Sequence, residues 1–71
     1  MPMKVVRGDR LLMVVPPGEA IQASTFPAEV IRVDESMVTC SVSVDLPRTM
    51  RFDRRTGWRD DREAFLIRVP G

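Results

Sequence analysis

Residues 37–44, MVTCSVSV, place Val38, Cys40, Val42 and Val44 at one parity and Met37, Thr39, Ser41 and Ser43 at the other. Successive side chains of a strand point to opposite faces, so this alternation predicts a half-buried β-strand with Cys40 in its buried row. Upstream, AEVIRV at 28–33 is rich in β-branched residues and runs into the polar turn Asp34-Glu35-Ser36, so the two segments should pair as a hairpin. Arg10–Val15 contains LLMVV, which is apolar at both parities and therefore reads as a central strand covered on both sides. Between Lys4–Arg7 and that strand, Gly8-Asp9 offers a positive-φ position followed by an Asx-type turn residue.

In the second half, Met50 and Phe52 alternate with Thr49, Arg51 and Asp53, giving a short strand that runs into Asp53-Arg54-Arg55-Thr56-Gly57. Asp53 can accept backbone N–H groups of the turn, and Gly57 supplies the left-handed conformation that closes a type I turn with a bulge. Arg54 and Arg55 fall in the middle of this turn, where side chains are expected to point to solvent. After Trp58, the charged run Arg59-Asp60-Asp61-Arg62-Glu63 reads as a solvated turn, and Ala64–Val69 as a last strand ended by Pro70-Gly71. Residues 16–27, PPGEAIQASTFP, are the least regular part. A helical turn around Glu19–Ala23 and an edge strand through Ile21, Ala23 and Thr25 both fit, and Pro27 forbids a continuous ladder except at an edge or bulge, which favours a long loop merging into a bent strand. The expected core is Val14, Val30, Val33, Val38, Cys40, Val42, Phe52, Phe65 and Ile67. Five or six short strands with frequent turns indicate an all-β domain, a small barrel or two packed sheets.

Length changes the picture by making that core thin: residues 1–71 read as a single domain, and a chain this short buries only about 60% of its unfolded surface. Cys40 is the lone cysteine, so no internal disulfide can reinforce it. Histidine is absent, which leaves one thiol and carboxylates as metal ligands, far from any usual zinc set. Neither a metal nor a cofactor is expected. A partner or self-association is the remaining source of added stability. Leu11–Val15 is too short for the apolar region of a signal peptide and ends in Pro16-Pro17, and no apolar run reaches membrane-spanning length, so a cytoplasmic protein without membrane contact is expected.

Formal net charge is +1, which gives no strong global attraction to nucleic acid. The basic residues are ten arginines and one lysine, a ratio that coding bias in a GC-rich genome explains, so the count alone is not evidence of a site. Their distribution says more. From Arg48 to Arg59 there are five arginines, Arg48, Arg51, Arg54, Arg55 and Arg59, against one acid, Asp53, with Trp58 among them. Arg and Trp are the residue types in which interface energy concentrates, and the same set could follow a phosphate chain with one stacking platform. The alternative is that Trp58 plugs the open end of a barrel while the arginines are solvated or paired with Asp53, Asp60, Asp61 and Glu63.

The order of signals, Gly8-Asp9-Arg10 into an apolar strand, then Ala28–Val33, then the strand through Cys40, then Arg51-Phe52-Asp53-Arg54-Arg55-Thr56-Gly57, resembles small SH3-like β-barrels. It is similar in particular to bacteriophage and prophage accessory proteins with a "GD" opening strand and a late F-D-x-x-T-G turn. The resemblance covers nearly the whole chain, and its motifs specify a fold more than a function. It implies a barrel of five to six short antiparallel strands, acting in a bacterial host by docking on a host or viral protein, including one that handles nucleic acid in defence, and inhibiting or redirecting it. The chain departs from the lysine-rich ribosomal and transcription-factor barrels, and without tyrosine it lacks the aromatic groove of proline-peptide binders.

Catalysis finds little to work with. Cys40 has no histidine to activate it and sits in a buried row, and the acidic pairs Asp34-Glu35 and Asp60-Asp61 lie in turns where carboxylates are usually solvated. RGDR at 7–10 is a turn, and no glycine-rich phosphate loop occurs. The expected function is therefore protein docking without enzymatic activity, with direct nucleic-acid binding as the alternative, and Arg48, Arg51, Arg54, Arg55, Trp58 and Arg59 as the residues that would carry either.

Overall fold

The computed structural model describes residues 3–18 and 23–69. Five strands, β1 (Arg10–Val15), β2 (Ser24–Val33), β3 (Met37–Ser43), β4 (Pro47–Asp53) and β5 (Phe65–Arg68), form one antiparallel sheet in the order β4-β3-β2-β1-β5. No helix occurs among the described residues, so the all-β expectation holds. A closed barrel does not form, because the edge strands β4 and β5 share no ladder. Between them runs Gly57–Arg59, which makes one bridge to each side, Phe52 with Arg59 and Trp58 with Phe65.

β2 shows how a proline fits inside a ten-residue strand. Its first part, Ser24–Glu29, pairs with β1, while its pairing with β3 begins only at Ala28. The N–H and C=O of Val30 are used on the β1 side, where Val30 donates to the Asp9 carbonyl and accepts from the Gly8 N–H. Alternation then turns the nitrogen of Pro27 to the β3 side, beyond the end of that ladder. Its missing donor leaves no gap. The strand part of the expectation for residues 16–27 is met from Ser24 on, while the alternatives for residues 19–22 lie outside the described residues, as does the Pro70-Gly71 stop.

A bulge between Val30 and Arg32 shifts the register against β3. The extra residue, Ile31, is thrown outward, so Val30 and Val33 point inward although their odd spacing forbids this in a regular strand. The core consists of Val30, Val38, Cys40, Val42 and Phe52, as expected, together with Val5, Leu11, Met13, Ala28, Ala64 and Leu66.

Three expected core residues stand elsewhere. Val14, Phe65 and Ile67 lie on the outer face, because β1 turns Leu11 and Met13 inward and β5 turns Leu66 inward after the buried Ala64 that precedes it. The reading of β1 as covered on both sides is thereby corrected: its second face, Leu12 and Val14, is only half-buried. In strands apolar at both parities, alternation cannot choose the phase. For β5 the phase follows two hydrogen bonds, Leu66 N–H to the Gly57 carbonyl and Arg59 N–H to the Ala64 carbonyl, and β1 follows its ladders to β2 and β5.

Candidate functional site

Asp53 Oδ1 accepts the N–H groups of Arg55 (2.7 Å) and Thr56 (3.3 Å), and Gly57 N–H donates to the Asp53 carbonyl (2.8 Å) with φ +82° at Gly57. Asp53 N–H in turn donates to the Trp58 carbonyl at 2.7 Å, so Gly57 and Trp58 together face Asp53. Two residues against one with a left-handed glycine first is the bulge that closes a type I turn, as the sequence indicates. Its effect is to reset the chain direction after the turn and bring Trp58 over the outer face. There its ring meets Phe65 with centroids 4.7 Å apart and planes tilted by 53°. Trp58 remains 37% exposed there.

Beside it opens a groove of about 670 Å³ between Met37 and Asp53 of the β3–β4 pair, Thr56 and Trp58 of the turn, and Arg59, Asp60 and Arg62 of the next loop. Arg59 Nε is held 3.2 Å from Asp61 Oδ2. Arg62 adopts φ +62°, a left-handed conformation uncommon for a side chain of its size, while its N–H donates to the Arg59 carbonyl (2.8 Å). The groove is therefore mixed in charge, two arginines and two aspartates around an aromatic wall.

The six residues singled out from the sequence divide. Trp58 and Arg59 line the groove. Arg51 is exposed on the same outer face, paired with Thr39 one row from Met37 and Asp53. Arg55 is exposed in the turn. Arg48 lies opposite Val42 and at the other parity, five residues up β4 from Asp53, or about 16 Å at the rise of a strand. Arg54 is not a solvent-facing turn residue. It is half-buried, donating from Nε to the Met3 carbonyl (3.3 Å) and from Nη1 to the Asp34 carbonyl (3.4 Å), and its own N–H and C=O bond Ser36 and Met3. This side chain ties the N-terminal segment, the β2–β3 turn and the Asp53 turn together. Met37 and Arg62 were not anticipated; Met37 was legible only as the polar-parity start of β3, and the left-handed Arg62 gives no local signal.

Cys40 is fully buried, and burial pushes its thiol up to about 11, away from the reactive thiolate. Among the described residues no group of Cys, Asp and Glu is arranged to hold a metal, and no helix is long and apolar enough to cross a membrane. Comparison with protein families, curated proteins and solved structures finds no match.

Proposed function

We propose that the chain is a non-enzymatic binding protein that docks on a protein partner through the Trp58 groove. The observation that carries this reading is the exposed Trp58 ring, raised on the outer face by the Gly57 bulge and standing beside Met37, Arg59 and Arg62. A half-exposed indole next to a methionine and arginines has the composition of an interface hot spot. Asp53 and Asp60 in the same groove favour a polypeptide of mixed polarity over a phosphate chain, which those carboxylates would repel. Arg51 and Arg55 extend the surface, whereas Arg48 is remote and Arg54 belongs to the fold. The resemblance to phage-type SH3-like proteins gives this docking its setting, a bacterial cytoplasm in which the partner is a host or viral protein that is inhibited or redirected. The five-stranded order with a single bridging segment between its edges is compatible with such a barrel left open.

The test is capture of partners from bacterial lysate by the native chain and by Trp58→Ala, with and without nuclease and over a salt series. A partner that survives nuclease, is lost with Trp58→Ala and holds as salt rises is the expected result. Recovery that depends on nucleic acid and falls steeply with ionic strength would reject protein docking in favour of phosphate contacts.

A further inference from the structure

The outer face of β1 and β5 carries two cross-strand apolar rows. Register pairs Pro27 with Leu12 and Leu12 with Ile67 in one row, and Val14 with Phe65 in the next, where the Phe65 ring meets Trp58. Of these, Leu12, Val14 and Phe65 are half-buried and Pro27, Ile67 (36%) and Trp58 are exposed. Adjoining the rows is a depression of about 340 Å³ in which Leu12, Pro27 and Val69 meet the polar residues Arg10, Glu29 and Ser43. A chain of this size gains little from leaving so much contiguous apolar surface in water. At the Leu12 end of the face stands an opposite-charge pair of positions, Arg10 on β1 and Glu29 on β2, in register and both exposed, with no ion pair between them.

We infer that this face is a self-association surface that takes a second copy of the chain, packed row on row about a two-fold axis. The charge pattern selects that occupant. In a two-fold interface a contact between positions i and j occurs twice, so with the axis passing between Arg10 and Glu29 this pair is complementary to itself: Arg10 of each copy meets Glu29 of the other. The central rows hold no charge to oppose, and a net charge of +1 per chain gives two copies little repulsion. A nucleic acid would find one cation cancelled by one anion. The inference is centred on Leu12 and Ile67 and meets the groove only at Trp58, through its contact with Phe65.

Sedimentation over a concentration series tests it. The native chain should pass from monomer to dimer mass as concentration rises, and Leu12→Glu should stay monomeric with an unchanged β circular dichroism spectrum. Arg10→Glu alone and Glu29→Arg alone should each weaken the dimer by at least about tenfold, because both copies then present like charges to one another. An equimolar mixture of these two variants should regain dimer mass. One copy then bears two anions and the other two cations, so every contact between copies is attractive while each chain still repels within itself. If Leu12→Glu proves unfolded, the charge variants carry the test. A native chain monomeric at hundreds of micromolar, a dimer indifferent to Leu12→Glu in a folded protein, or a mixture that stays monomeric would each overturn the inference, the first leaving the face to a different protein.

Discussion

Two glycines with positive φ, Gly8 at +95° and Gly57 at +82°, occupy equivalent places in the fold. Each is the first residue of a bulge: Gly8 and Asp9 face Val30, with Gly8 N–H to the Val30 carbonyl and Val30 N–H to the Asp9 carbonyl, in the pattern that Gly57 and Trp58 repeat against Asp53. Their surroundings differ. A Cβ on Gly8 would meet nothing within 4 Å, whereas one on Gly57 would stand 3.3 Å from the Leu66 carbonyl oxygen and 3.6 Å from Met3 Sδ. Gly8→Ala should therefore cost only the left-handed backbone penalty, on the order of 1 kcal/mol, and Gly57→Ala that penalty plus the displacement of β5 at Leu66. Urea unfolding of both variants reads the difference, and Gly57→Val should be worse again. Equal midpoints for the two alanine variants would show that β5 yields freely at that contact.

At the scale of elements, what the sequence reveals depends on whether a segment is polar at one parity. β3 is, and its inward row Val38, Cys40, Val42 is found as read. β1 and β5 are not, and Val14, Phe65 and Ile67 face outward against expectation, because the phase of β5 follows the bonds that Leu66 and Ala64 make to Gly57 and Arg59, and that of β1 follows its ladders to β2 and β5, none of which a periodicity within the strand encodes. The Asp53–Gly57 turn was legible since each end uses local chemistry. The path of the Arg54 side chain was not, because its acceptors are carbonyls of Met3 and Asp34, 51 and 20 residues away in sequence. That division has a measurable consequence. Arg55→Ala, at an exposed turn position, should change stability by only a few tenths of a kcal/mol. Arg54→Ala leaves two carbonyls without their charged donor and should cost about 1 kcal/mol, at the low end for such bonds given their length. Thermal unfolding of the two variants separates them, and an Arg54→Ala protein as stable as Arg55→Ala would mean that water replaces the guanidinium at no loss.

For the molecule as a whole, the composition isolates one titration. Tyrosine is absent and lysine occurs once, so few side chains other than Cys40 change charge in mildly alkaline solution. Cys40 is packed among Val30, Val38, Val42 and Phe52, and burial raises its thiol from the ordinary value of 9.0 to about 11. The unfolded chain releases this proton near the ordinary value while the folded chain still holds it, so the unfolded state binds fewer protons across that window. Stability is then full below pH 9 and declines as pH rises toward 11, by up to about 3 kcal/mol for a two-unit shift. In a domain with so thin a core this is a large share of what holds it together. Urea midpoints of the native chain should fall through that interval. Those of Cys40→Ala, lower throughout because of the cavity left in the core, should stay level. The same burial should make the native thiol slow to label until denaturant is added. Parallel decline of both proteins with pH would assign the alkaline sensitivity to groups other than Cys40, and rapid labelling of the folded chain would show that the sheet opens at β3 far more readily than its packing implies.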